Sequence, residues 1–384
     1  MEDGDGDGDG DVNVEEPEMY VCNPVKNKDG VKYYTSYTLK GSKVPEPLNR
    51  RYRDFDALRK KLVERWPGVF IPNIPHKKKV ANKSQRIITM RVEMINRFLK
   101  KLCKLDYLAN SEEMELFLQN SSSVIKTLEG VKLEPYDELL KKYSSAFTDY
   151  DENFDTQAGK EDQEKFGKKL NDIHQKIKSF RAIVANAKER YKDDQENYLN
   201  VINMLSLYEK ESLNSLVNND ENKLIFFNMK NVDLYKHVSN TQEQVINPYE
   251  RLYDAITEDY LDIEAMSESL ETLKNLQETY NKISRNYNSI NTQITELQSK
   301  SKSKKLTKLM MEKEGMEKDV NDLGQVIKIA TFNMQNTINN FKTISLDNYY
   351  AELSRLNEDT EKNATIFDNL WEAVVKDKNI SEFN

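Results

Sequence analysis

Between Gly167 and Gly315 the chain has no glycine, and after Pro75 its only prolines are Pro135 and Pro248. Glycine and proline are the strongest local punctuators of helices, so these stretches contain almost nothing to stop one. Apolar residues recur through them at steps of three and four, the pattern of a helix with one buried stripe. The first stretch carries Leu170, Ile173, Ile177, Phe180 and Val184 and runs on to Ile202 and Leu205. A second runs from Leu252, Ile256, Tyr260 and Ile263 to Ile294 and Leu297. A third runs from Leu306, Leu309 and Met316 through Phe341 to Trp371 and Val374. Polar breaks, "NNDEN" (218–222) and "SKSKSKK" (299–305), separate the three. The expectation is three very long antiparallel helices, the last of about 70 residues and on the order of 100 Å. Slender helices of this kind cannot bury their stripes in a compact monomer. They form an elongated bundle whose remaining apolar seam calls for a partner chain, most simply a second copy. By periodicity alone, a coiled-coil spacer accounts for the pattern equally well.

Charge divides the chain differently. The net charge is −8, yet residues 19–119 hold 22 Lys and Arg against 10 Asp and Glu. A strongly basic module inside an acidic chain points to a negatively charged partner for that module. Residues 1–18 carry nine acids and no base, and their low-complexity composition predicts a disordered tail. Asp5, Asp7, Asp9, Gly10 and Glu16 in this tail fit the spacing of a calcium loop. That loop needs a helix on each side, and only four residues precede this one while Pro17 follows it. Cys22 and Cys103 are the only cysteines, too few for a disulfide framework, and they read as reduced thiols. No apolar run approaches the roughly 18 residues of a membrane span. The acidic N-terminus is unlike a signal peptide, and "NISEFN" at the C-terminus has no prenylation cysteine. Membrane contact by such a chain is expected to be peripheral.

Residues 19–53 alternate and are rich in β-branched and aromatic residues. Asp29-Gly30 between "MYVCNPVKNK" and "VKYYTSYTLK" predicts a hairpin, and "LNRRYR" a third short strand. Asp54 is the expected N-cap of a helix "FDALRKKLVERW" that stops at Pro67-Gly68. An extended "IPNIPHKKK" follows, with the Pro72-x-x-Pro75 spacing of polyproline. A second helix over roughly 84–104 carries Ile87, Met90, Met94, Phe98 and Leu102, and "SEEMELFLQN" adds a short third. The N-terminal module is therefore expected to be an α+β domain with a three-stranded antiparallel sheet.

Catalysis finds no support in the residues. His76, His174 and His237 lie in separate segments without neighbours at metal-ligand spacing, and no phosphate-binding loop, dinucleotide fingerprint or nucleophile elbow is present. No catalytic, metal or cofactor site is expected, and the acidic helical half argues against nucleic acid. The basic module carries the better signal. A phosphorylated headgroup needs charge-assisted donors converging from separate elements, with bidentate arginine the best of them. Arg50, Arg51 and Arg53 flank Tyr52, Lys77, Lys78 and Lys79 follow the proline segment, and Arg91 lies one turn into the second helix. Any one of these clusters alone is most simply a solvated surface; their order is what is specific.

"RRYRDFDALRKKL", "FIPNIPHKKK" and "TMRVEMINRFLKKL", in that order, resemble a PX domain, the phosphoinositide-binding module. Followed by three giant helices, the chain resembles a sorting nexin of the PX-BAR class. The resemblance implies a disordered tail over 1–18, a PX domain over 19–120, and a linker over 121–160 with a possible amphipathic helix. An elongated, dimerising three-helix BAR bundle over 161–378 completes it. It implies that Arg51 grips the 3-phosphate of phosphatidylinositol 3-phosphate, with Arg53 assisting. Tyr52 stacks under the inositol ring, Lys77 takes the 1-phosphate and Arg91 bonds the ring hydroxyls. Lys78, Lys79 and Val80 belong to the membrane-facing loop, where Ala81 departs from the usual glycine. Lys300, Lys302, Lys304, Lys305 and Lys308 crowd the turn expected at the tips of a BAR crescent, where each cation near an anionic surface contributes about 1 kcal/mol. Leu139, Leu140, Tyr143 and Phe147 share one face of segment 137–148, which either inserts into a membrane interface or packs between the two domains. The implied role is endosomal sorting and tubule formation on the cytosolic face of early endosomes, as a homodimer or a heterodimer with another PX-BAR protein. The alternative is a cytosolic helical scaffold that the PX domain merely addresses to endosomes.

Overall fold

The computed structural model describes residues 17–29, 32–74, 85–119, 123–213, 240–241, 243–298 and 303–376. The chain divides into two compact units, Met1–Lys168 with Leu261–Ile338, and Lys169–Tyr260 with Asn339–Asn384.

The first unit opens with an antiparallel sheet in the order β1 (Tyr20–Asp29), β2 (Lys32–Lys40), β3 (Leu48–Arg51). The hairpin register pairs Asp29 with Lys32 and shifts between Cys22 and Val25, around Pro24. Proline has no N–H for the ladder, which is why it sits at an irregularity on an edge strand. Further along the same edge, the Val21 N–H donates to Asn96 Oδ1 at 2.6 Å, and Asn96 returns a bond to the Val21 carbonyl.

Helix α1 (Tyr52–Arg65) follows β3 with no intervening loop. The expected strand through Arg53 and N-cap at Asp54 are therefore corrected. The strand ends at Arg51, which is itself the cap residue, and Asp54 stands at the third helical position accepting the Arg51 N–H at 2.8 Å. A carboxylate there satisfies a backbone donor at the helix start and favours its positive end, so the helix gains two residues that the sequence had assigned to the strand. Phe55, Leu58 and Leu62 of α1 are fully buried. The buried face of α2 (Gln85–Cys103) is Ile88, Met94, Ile95, Phe98, Leu99 and Leu102. That face is rotated from the expected one, leaving Ile87 and Met90 at its margin. Short helices α3 (Asp106–Ala109), α4 (Glu112–Leu118) and α5 (Val124–Gly130) close the domain. Ser111 caps α4 by accepting the Met114 N–H. Cys103 is buried, which with the nearby Glu18 pushes its thiol up to about 12 and keeps it protonated.

Helix α6 (Tyr136–Ala146) follows in the chain and precedes the three long helices α7 (Thr156–Leu207), α8 (Pro248–Gln298) and α9 (Ser303–Lys376). Pro248 opens α8 at the position where a missing N–H costs nothing. Within the first unit the α8 and α9 segments share a core of Met266, Leu273, Leu323, Val326, Ile327, Ala330 and Met334. Gln163 of α7 donates to the Thr331 carbonyl at 2.8 Å, and Tyr150 and Phe154 meet Phe332 edge-on.

In the second unit Ile202 and Leu370 form a small core sealed by Tyr198, Leu199 and Trp371. Asn363 ties the helices together, donating to the Tyr191 hydroxyl and the Ile246 carbonyl and accepting the Ile246 N–H. His174, expected as a surface or seam residue, stacks on Tyr260. A π-helical turn (Tyr208–Leu213) ends the described part of the first long helix. The expected break at 218–222 lies outside the described residues. Two groups of large apolar residues remain exposed in this unit: Val201, Met204, Leu205 and Tyr208, and Leu346, Tyr349, Tyr350 and Leu353. Both repeat as i, i+3, i+4, i+7, so each is a continuous stripe on one helix face.

Candidate functional site

The period-two alternation of a strand decides the fates of two adjacent arginines on β3. Arg50 stands opposite Tyr37 and points into the domain. Its guanidinium donates to the Phe117 carbonyl at 3.2 and 2.7 Å and to Gln119 at 2.7 Å, and it lies 5.3 Å from the Phe117 ring centroid. Burial lowers its pKa, and Asp54 opposes that. Arg51 stands opposite Ser36 on the other face and is exposed, with its guanidinium carbon 4.5 Å from the Tyr34 ring centroid. One arginine is thus spent on the fold, and its neighbour is presented to solvent.

Tyr52 is the first residue of α1, and the Arg91 guanidinium of α2 lies 5.3 Å from its ring centroid. Burial raises the Tyr52 phenol well above its ordinary range, Asp56 adds to the rise, and Arg91 opposes it. Tyr37, fully buried beneath, is raised by burial with Arg91 again opposing. Both phenols stay neutral at physiological pH, so the positive charge of Arg91 is not cancelled by a phenolate. Strand β3, the start of α1 and the second turn of α2 therefore bring Arg51, Tyr52 and Arg91 to one region. Arg53 is exposed on the first turn of α1. Lys77, Lys78, Lys79 and Val80 lie outside the described residues, as do Lys300 and Lys302. Lys304 and Lys305 fall on the first turn of α9, and Lys308 is exposed on the second.

The segment leading to Lys77 is anchored on the long helices. The Gly68 N–H donates to Thr272 Oγ1 at 2.9 Å, and Asn73 donates to Glu264 at 3.1 Å. Arg59 donates to the Pro72 carbonyl at 3.0 Å and pairs with Glu268, while Lys101 pairs with Asp262 at 2.6 Å. Pro72, Ile71 and Ile74 are buried along this path. On the other side, α6 turns its apolar face inward. Leu139, Tyr143 and Phe147 are buried, Tyr143 donates its hydroxyl to the Pro67 carbonyl at 2.6 Å, and Trp66 stacks on Tyr143. Lys142 donates to the Arg65 carbonyl and to Glu134, each at 3.0 Å, and its ammonium lies 4.1 Å from the Trp66 ring centroid. Arg65 pairs with Glu112, Glu113 and Glu134. Burial alone would raise the Glu134 carboxyl, but the hydrogen bonds from Arg65 and Lys142 outweigh it and hold the group below its ordinary value. Asp137 of α6 pairs with Lys318 of α9 at 2.8 Å.

Sequence reasoning missed Tyr34, Tyr37 and this ionic lock. The alternation of "VKYYTSYTLK" puts Tyr34 and Ser36 on one face. Only the β2–β3 register reveals that Arg51 lands beside them. Among the described residues no group of three or more His, Cys, Asp or Glu is placed to hold a metal, and no helix is long and apolar enough to cross a membrane.

The PX domain family model matches residues 41–121 of the chain. Sorting nexin 1 of Arabidopsis thaliana is 35% identical over 108 residues, 26% of this chain and 27% of that protein. Sorting nexin-30 of Xenopus tropicalis is 33% identical over 110 residues, 27% and 24% of the two chains. The matches span about a quarter of the length of these curated relatives. The cryo-EM structure of the SNX-BAR Mvp1 tetramer superposes with a TM-score of 0.58, covering 93% of this chain and 100% of that one at 14% identity. The β1–β2 hairpin that precedes residue 41 belongs to the same sheet as β3. The chain thus carries a PX domain and, with its long helices, has the fold of a PX-BAR sorting nexin.

Proposed function

We propose that this chain is a peripheral membrane protein that binds phosphatidylinositol 3-phosphate through Arg51, Tyr52, Arg53, Lys77 and Arg91. In this reading residues 19–120 are the lipid-binding domain, 121–160 the linker and 161–378 a dimerising BAR bundle. The protein acts in cargo sorting and tubule formation on the cytosolic face of early endosomes. The observation that supports the lipid assignment is the Arg91 guanidinium of α2 held 5.3 Å from the ring centroid of Tyr52 at the start of α1, with Arg51, the residue before it on β3, exposed to solvent. A phosphate on an inositol ring needs that pairing of bidentate donor and apolar face. Dimerisation is supported by the two exposed stripes on the long helices of the second unit. Two lipid sites on one dimer raise avidity by about 10²–10⁴ over one site, with Lys78, Lys79 and Val80 and the lysines from Lys300 to Lys308 as further membrane contacts. Flotation with vesicles containing phosphatidylinositol 3-phosphate tests the assignment: Arg51→Ala should stay with the soluble fraction, and undiminished flotation would overturn it.

One observation favours a second reading, a helical scaffold that recruits protein partners to endosomes without bending membranes. The apolar face of α6 is occupied by Trp66 and its neighbours and is not presented as a membrane wedge. Electron microscopy of large vesicles incubated with the protein separates the two, since a curvature protein draws tubules and a scaffold leaves the vesicles round.

A further inference from the structure

We infer that Tyr34 is the residue that positions Arg51 for a phosphate. This rests on the proposed role of Arg51 and deepens it. Arg51 and Ser36 are register partners, and Tyr34 lies two residues along the same strand, so all three side chains leave the same face of the sheet. The guanidinium carbon of Arg51 lies 4.5 Å from the Tyr34 ring centroid, the range of a cation–π contact. An exposed arginine otherwise samples many rotamers, and ordering it at the moment of binding opposes affinity. A ring at this distance orders the group beforehand, and a guanidinium stacked by its flat face keeps its in-plane N–H donors available for bidentate contact with phosphate oxygens. The ring also keeps its place independently of any ligand. Tyr34 belongs to the central strand and pairs with Asn27 of β1, while Asn27 bonds Ser36 Oγ at 2.7 Å on the flank of the contact. The ligand chemistry this serves is a phosphomonoester, carried by a membrane lipid or by a free inositol phosphate. The hydroxyl of Tyr34 plays no part in the contact, and the π face is what matters.

The test uses the full chain and two probes. One is phosphatidylcholine vesicles with a few per cent phosphatidylinositol 3-phosphate, and the other is soluble inositol 1,3-bisphosphate followed by calorimetry. Tyr34→Phe should bind both like the parent. Tyr34→Leu, which keeps bulk without a π face, should lose about three- to tenfold on both probes, and Tyr34→Ala at least as much. Melting curves identify any variant that fails to fold; if Tyr34→Ala is one, the Phe and Leu pair carries the comparison. Three results overturn the inference. They are Tyr34→Leu binding as well as the parent, Tyr34→Phe losing as much as Tyr34→Leu, and a change confined to the vesicle arm, which would make Tyr34 a bilayer contact. Arg51→Ala is measured alongside. If it abolishes binding while Tyr34→Leu binds like the parent, the positioning role alone fails. If it binds normally, the phosphate role of Arg51 fails first.

Discussion

Replacing Gly68 by alanine should unseat the PX domain from the long helices. Gly68 has φ of +79°, a left-handed conformation that costs a residue with a Cβ about 1–2 kcal/mol. A Cβ at this position would lie 2.9 Å from Leu273 Cδ1, 3.2 Å from Leu273 Cβ and 3.4 Å from Ala330 Cβ. Leu273 and Ala330 are themselves buried, so relief requires the backbone to retreat, and overpacking of this kind costs about 1–3 kcal/mol. Retreat also strains the bond from the Gly68 N–H to Thr272. Together these make Gly68→Ala destabilising by about 2–5 kcal/mol, a fall in melting temperature on the order of 10 °C. Gly315→Ala is the matched control. That glycine lies within α9 with nothing inside 4 Å of a Cβ, so alanine should stabilise by about 0.5–1 kcal/mol. Thermal unfolding followed by circular dichroism, with limited proteolysis of segment 66–74, reads both. A Gly68→Ala protein that melts within 2 °C of the parent and resists protease equally would refute the reasoning.

Arg50→Ala leaves the Phe117 and Gln119 carbonyls without their donor and should cost about 2–4 kcal/mol of stability, whereas exposed Arg51→Ala should melt like the parent; denaturant unfolding of the two variants checks this, and equal melting would contradict it. Glu134→Gln should destabilise by about 2 kcal/mol at pH 7. The folded Glu134 carboxyl lies below the ordinary 4.5, so its contribution is complete above that value and is lost as pH falls through the lower folded one. Melting curves of parent and variant should therefore converge towards pH 3, and a gap independent of pH would exclude the linkage. Leu205→Glu combined with Tyr350→Asp places charge on both exposed stripes and should convert a dimer to monomer in sedimentation at micromolar concentration without unfolding the helices.

Periodicity and the scarcity of glycine and proline were enough to foresee the long helices, because a stripe at steps of three and four has one way to be buried. Hairpin chemistry and the order of the basic motifs likewise made the three-stranded sheet and the PX resemblance legible. Boundaries were less so. Tyr52 and Arg53 fit a strand as well as a helix, and Asp54 tipped them into α1 only through its bond to the Arg51 N–H.

Some features depend on residues far apart in the chain, and no local pattern encodes them. By local pattern Arg50 and Arg51 are equivalent cations and only the PX resemblance set Arg51 apart; the register with β2 turned one towards Phe117 and the other towards Tyr34. Segment 137–148 was amphipathic whatever its use, and the indole of Trp66 decided that its apolar face would be buried. Amino-acid order by itself determined which segments became helix and strand, and that cations would cluster, because those follow from neighbours within a few residues. Only tertiary packing decided which cations serve the fold and which face solvent, because burial and pairing are properties of surfaces that meet after the chain has folded.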